Sequence, residues 1–117
     1  MRLVLACAAA FAFVPVAEAQ TVGGLKSGQQ MLDLCVSAKA TDIAACDSFL
    51  AGARESFIYL QDIGQIDRDI CVPTGTGPAE LRQTAVDYWR ANPAGRRYSA
   101  VSSFWNALAA RYPAPCV

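Results

Sequence analysis

Residues 70–82 read ICVPTGTGPAELR, with two glycines one residue apart just before a stretch of helical pattern. Such a loop is either a backbone cradle for phosphate or the start of a helix pinned by Cys71. A cradle needs backbone N–H groups converging at a helix start, usually after a buried strand and often with a lysine. Gly75-Thr76-Gly77 follows no strand pattern, and no third glycine, Lys-Ser or Lys-Thr stands at the required offset. Pro78 also deletes a donor where one would be useful. The other reading accounts for each residue. Gly77 fits the N-cap, Pro78 the first helical position, and Glu80 the third, where its carboxylate meets the positive end of the helix dipole. The stretch opens a helix.

Working outward, Leu81, Ala85, Tyr88 and Trp89 give that helix an inward face, and Asn92-Pro93 stops it. A further helix is expected over Ser99–Tyr112, with Val101, Phe104, Trp105, Leu108 and Tyr112 as its stripe and Pro113 and Pro115 closing it. Upstream, the longest helical pattern spans Asp42–Ile63: Cys46, Phe49, Leu50, Ala53, Phe57 and Leu60 recur at helical spacing. Gly52 within it costs about 1 kcal/mol relative to alanine; close approach of a neighbouring helix is the expected reason. Gly64 ends the segment as a C-terminal glycine should. The first helix is expected over Ser27–Ala38, where Ser27 and Gln30 form a capping-box pattern and Met31, Leu34 and Cys35 face inward. No segment reads as a strand, so the expected fold is all-α, a small four-helix domain. Both tryptophans lie on apolar stripes and read as core.

The chain opens with Arg2, an apolar run over Leu3–Val16, and Ala17-Glu18-Ala19 in the small-x-small cleavage pattern. Residues 1–19 are therefore expected to be a cleaved export signal, which places the protein in the periplasm, and residues 20–26 a loose leader before a single domain at 27–117. Basic and acidic side chains balance, with ten of each, so no global field steers nucleic acid or an anionic membrane toward the chain. After residue 20 no apolar segment is long enough to span a bilayer. The mature form is expected to bind neither nucleic acid nor membrane.

With the signal removed, Cys35, Cys46, Cys71 and Cys116 remain, an even number in an oxidising compartment. Structural zinc sites bring their ligands in close pairs, and the nearest two cysteines here are eleven positions apart in a chain without histidine. Two disulfides are the better reading, and neither metal nor cofactor is expected. Three connectivities exist. A helical hairpin brings Cys35 beside Cys46, and an antiparallel third and fourth helix brings Cys71 beside Cys116, so 35–46 and 71–116 are preferred. On the chain-entropy model they contribute about 3 and 4 kcal/mol, too similar to other pairings for entropy to decide.

Catalysis finds little support. Without histidine there is no Ser-His or Cys-His dyad, and paired cysteines leave no thiol nucleophile. C-x-x-C is absent. Asp67 and Asp69 around Arg68 read as a solvated face. No catalytic residue is assigned.

Ser27-Gly28, Leu32 and Cys35, then Cys46-x-x-Phe49-Leu50-Ala51-Gly52, then Ile70-Cys71-Val72-Pro73-x-Gly75 stand in one order with Glu80-Leu81-Arg82, Asp87-Tyr88-Trp89, Asn92-Pro93 and a closing Tyr112-Pro113-x-x-Cys116. This pattern resembles the Rap/Tai immunity proteins of bacterial type VI secretion over nearly all of the mature chain. The resemblance implies a helical periplasmic protein, commonly a homodimer, whose partner is a peptidoglycan amidase effector acting by a cysteine–histidine mechanism. Immunity then means occlusion of the effector's cleft by a protruding element. Other readings on the same scaffold are a housekeeping envelope protein and a small periplasmic chaperone. For partner contact the chosen residues are Arg96, Arg97 and Tyr98, between the third and fourth helices, because Arg and Tyr are enriched among interface hot spots.

Overall fold

The computed structural model describes residues 26–116, which form four α-helices and one 3-10 helix in the order α1 (Gly28–Cys35), α2 (Ala40–Asp62), α3 (Pro78–Ala91), the 3-10 helix (Pro93–Arg97) and α4 (Ala100–Arg111). The expected signal peptide at 1–19 and all but the last residue of the leader lie outside the described residues. Two isolated bridges, Ser27 with Ser99 and Ile70 with Pro113, tie the connections together, and among the described residues no longer strand pairing occurs. The fold is all-α, as expected.

The capping box at Ser27 is formed. Ser27 Oγ accepts from Gln30 N at 3.2 Å while Gln30 Oε1 accepts from Ser27 N at 2.9 Å, satisfying two N–H groups at the start of α1. α1 stops at Cys35, three residues before the expected end at Ala38. The reason is the bond from Cys35 to Cys46, whose Cα atoms are 5.2 Å apart, so the chain must reverse at once. Ser37 serves the next helix instead: its hydroxyl donates to Asp42 Oδ2 at 2.6 Å and accepts from Lys39 N at 3.1 Å. α2 thereby begins at Ala40, two residues earlier than expected, and Cys46 falls in its second turn rather than its first.

α2 buries Cys46, Leu50, Ala53 and Phe57 along one face. Gly52 does not lie on that face. It is exposed, and a Cβ built on it meets nothing within 4 Å, so no neighbouring helix explains it. Glycine is required just past the C-cap Ile63, where Gly64 takes φ +71° and Gln65 N donates back to Leu60 O at 2.9 Å. The opening stretch is then explained. Gly75 has φ +90° at the third position of a turn whose first carbonyl, Pro73 O, accepts from Thr76 N at 3.2 Å and Thr76 Oγ1 at 2.8 Å. Gly77 is the N-cap of α3 and Pro78 its first residue. One glycine turns the chain and the other starts a helix.

The core is built where α1, α3 and α4 meet α2. Trp89 and Phe104 are its largest fully buried side chains, joined by Met31, Leu50 and Leu108. Trp105 is half-buried and meets Phe57 edge to face, ring centroids 4.9 Å apart. On α4 the buried stripe runs Ala100, Ser103, Phe104, Ala107, Leu108, and Val101 faces solvent, contrary to expectation. Small residues at 100, 103 and 107 bring α4 close to its neighbours, which a stripe chosen by apolar bulk alone overlooks. Val86 likewise joins the buried face of α3, while Tyr88 is only half-buried. Between α2 and α3, Arg82 Nη1 donates to both Asp47 oxygens at 2.6 Å.

The second disulfide joins Cys71 to Cys116, Cα atoms 5.1 Å apart, so both bonds are the preferred pairings. Beside it Cys71 N donates to Tyr112 O at 2.9 Å, and Tyr112 Oη donates to Glu80 Oε1 at 3.0 Å. The start of α3 and the end of α4 are thus held at one end of the bundle.

Candidate partner-binding surface

Arg96, Arg97 and Tyr98 occupy the opposite end of α4. Asn92 ends α3, its Nδ2 donating to Tyr88 O at 2.9 Å, and Pro93 starts a 3-10 helix that carries the chain to Arg97. The segment is not an unstructured connector. Tyr98 O accepts from Gly28 N at 2.9 Å, and Ala100 N donates to Lys26 O at 2.8 Å. Gly28 and Gly95 permit this close seating. A Cβ at Gly28 would stand 2.8 Å from Trp89 Nε1, 2.9 Å from Gly95 O and 3.0 Å from Arg96 Cα, and one at Gly95 would lie 3.1 Å from the Tyr88 ring.

The three side chains differ in their freedom. Arg96 is half-buried, and its Nη1 reaches Gln29 Oε1 at 3.4 Å, a long bond that orients it across the start of α1. Arg97 is exposed, and among the described residues neither arginine forms an ion pair. Tyr98 is 59% exposed on a backbone pinned at its own carbonyl and at Ala100, and Val101, 37% exposed, follows it in the first turn of α4. An aromatic ring held out by fixed backbone loses little conformational freedom on docking, which is what an interface anchor needs.

Val101 is legible in the sequence as apolar, and its helical spacing alone puts it on the core stripe. A second residue, Arg54, carries no such signal of its setting in its own chemistry. Arg54 stands four residues after Leu50 and three before Phe57, on the edge of the buried face of α2, and its side chain is only 17% exposed. A charged residue in helical register with core residues was the available signal.

None of this arrangement supplies a nucleophile with a base. Cys35, Cys46, Cys71 and Cys116 are consumed in disulfides, and among the described residues no three potential metal-binding side chains gather. Among those residues, too, no helix is long and apolar enough to cross a membrane. What the surface offers is shape and a few fixed side chains, on a small, disulfide-braced helical domain.

The family model for Rap1a immunity proteins matches residues 27–116, from the N-cap of α1 to the last disulfide cysteine. The chain belongs to that immunity protein family, and membership implies an effector protein as its partner. No curated protein and no solved structure matches the chain.

Proposed function

We propose that this protein acts in the periplasm as the immunity partner of a type VI secretion peptidoglycan amidase, binding the effector and covering its active-site cleft without chemistry of its own. The observation that carries the reading is Tyr98, 59% exposed yet held by backbone bonds at its own carbonyl and at Ala100, in a domain of the Rap1a immunity family. Arg96, Arg97 and Tyr98 are the proposed contact residues, with Val101 beside them. A standard interface removes roughly 1,600 Å² from water in total, of which this ridge would form the centre. Homodimerisation is part of the proposal because the family resemblance implies it. The exposed outer face of α2, with Ala45, Ser48 and Gly52, leaves room for a second copy.

The test is affinity capture by the exported protein from periplasm containing candidate amidases, followed by an activity measurement on the captured enzyme. Stoichiometric recovery of an amidase that is inactive in the complex is the expected result. Recovery of no amidase from any candidate set, or of one that still cleaves peptidoglycan, overturns the proposal. Light scattering reads the oligomeric state separately.

A further inference from the structure

The chain is neutral overall, yet its charges are sorted along it. From Tyr88 to Val117 it carries Arg90, Arg96, Arg97 and Arg111, and neither aspartate nor glutamate. The fold gathers three of these at one end. Arg90 lies in the last turn of α3, Arg96 and Arg97 close the 3-10 helix, and Lys26 joins them because its carbonyl accepts from Ala100 N. Lys26, Arg90 and Arg97 are exposed and Arg96 is half-buried. Among the described residues the ion pairs all lie elsewhere, at Arg54–Glu55, Arg68–Asp62 and Arg82–Asp47.

Acidic side chains do little to offset this end. Asp33, a turn along α1 from Gln29, and Asp87, a turn before Arg90, each accept from a glutamine, Gln29 Nε2 at 2.9 Å and Gln83 Nε2 at 2.7 Å, and from no arginine. Glu80 and Asp62 belong to the opposite end of α4, Glu80 against Tyr112 and Asp62 beside Leu108 and Cys116. The 12 residues of α4 span about 18 Å, nearly twice the Debye length of about 10 Å at 0.1 M salt, so those charges are largely screened from the ridge. The surface around Tyr98 is therefore positive on a neutral protein.

Exposed arginines without carboxylates cost the free protein little, since water solvates them. Their value lies in the encounter. A local positive field draws an anionic partner and repels a cationic one, and raises association rates roughly tenfold to a thousandfold. At its centre stand Tyr98 and Val101, both exposed. An aromatic and apolar centre inside a charged rim is the anatomy of a protein interface. Duplex nucleic acid instead calls for cations in a track, about six to ten phosphate contacts in a typical site, and here a few cations surround one ring. The guanidinium fork of Arg97 suits a carboxylate, which it can hold in bidentate fashion.

We infer that the ridge docks on an acidic protein surface: the partner presents a hollow for Tyr98, and its rim carries aspartate or glutamate facing Lys26, Arg96 and Arg97. The inference rests on the reading of this ridge as the contact surface and adds the chemistry of what it meets.

Nuclear magnetic resonance of the isotope-labelled exported protein tests it with acetyl-Glu-Leu-Glu-Leu-Glu-amide as probe. The controls are the peptide with glutamine for each glutamate, oligothymidylate, and phosphatidylglycerol vesicles. At about 1 mM, the affinity range expected of so few contacts, the glutamyl peptide should move the amides of Arg97, Tyr98 and Val101 saturably. The glutaminyl peptide should bind at least about tenfold more weakly, and raising the salt from about 0.05 M to about 0.5 M should weaken the glutamyl peptide several-fold. Replacing both Arg96→Gln and Arg97→Gln should weaken it about tenfold with little change in Tm. Arg111→Gln removes the same charge from the far end of α4 and should leave binding as it was. If the double variant unfolds, Arg97→Gln alone should weaken the peptide several-fold. Equal binding of the two peptides, resonances that move only away from the ridge, or an equal effect of Arg111→Gln would each overturn the inference. So would tighter binding of oligothymidylate or of the vesicles than of the peptide. An amidase captured with an association rate indifferent to salt removes the acidic partner surface alone; failure to capture any amidase while the peptide binds at the ridge removes the proposed function alone.

Discussion

Trp89 Nε1 donates to the Ser103 hydroxyl across 2.8 Å, with both side chains fully buried and fourteen residues apart in sequence. Ser103 passes the chain of bonds on, its Oγ donating to Ser99 O at 2.9 Å. This one hydroxyl therefore satisfies the indole of α3 and anchors it to the first turn of α4. Ser103→Ala should leave the indole N–H buried and unpaired, costing about 1–3 kcal/mol. For a domain of this size each kcal/mol lowers Tm by about 4–8 °C, so thermal unfolding followed by circular dichroism checks it directly. An unchanged Tm would show that the bond contributes nothing.

Two glycines should respond to alanine in opposite directions. At Gly28 the added methyl would press on Gly95 O and Arg96 Cα, both backbone, and on the buried Trp89 indole. Overpacking of this kind costs typically 1–3 kcal/mol, on the order of several degrees in Tm. At Gly52 the same methyl meets open space in mid-helix, where alanine is better than glycine by about 0.5–1 kcal/mol. Urea denaturation of Gly28→Ala and Gly52→Ala should therefore give midpoints on opposite sides of the wild-type value.

The contrast between those glycines also shows where sequence reading reaches its limit. Gly52 stood in a helix with apolar positions on both sides, and a packing role followed naturally. Which face a residue takes, however, depends on the phase of the helix against its neighbours, and Leu50 and Ala53 set that phase so that Gly52 points outward. Gly28 carried no local signal, since its constraint comes from the 3-10 helix 67 residues later. Local chemistry was readable by contrast: the Ser27 capping box, the Gly77-Pro78 helix start and the glycine after α2 are all present. Both disulfides followed from helix ends that must meet. The candidate contact residues could be placed between α3 and α4 from the sequence, but not their bracing, which comes from Lys26 and Gly28. Arg54 was hidden for the same reason as Gly52, because a guanidinium's burial is decided by segments distant in the chain.

The two disulfides should differ in their response to reductant. Cys35 and Cys46 are buried within the core, whereas Cys71 is half-buried and Cys116 exposed. Thiol–disulfide exchange needs the attacking thiolate to reach a sulfur, so access orders the reactions. Limited reduction of the folded protein followed by alkylation and peptide mapping should label Cys71 and Cys116 before Cys35 and Cys46. Simultaneous labelling of all four would show that reduction proceeds through global unfolding.

Replacement of Tyr98 separates a binding role from a structural one. The backbone bonds that brace the segment use Tyr98 O, Gly28 N, Ala100 N and Lys26 O, and none uses the phenol ring. Tyr98→Ala should therefore leave the unfolding free energy within about 0.5 kcal/mol of the wild-type value, as is usual for exposed positions. Against a captured effector the same change should remove a hot spot, about 2 kcal/mol or more, which lowers affinity roughly 30-fold. Arg97→Ala, which removes an exposed charge, should act mainly on the association rate and on its salt dependence. Changing Arg96, Arg97 and Tyr98 together should abolish capture. If the triple variant still binds its effector as tightly as the wild type, the partner docks elsewhere, and the fixed, exposed tyrosine is only surface.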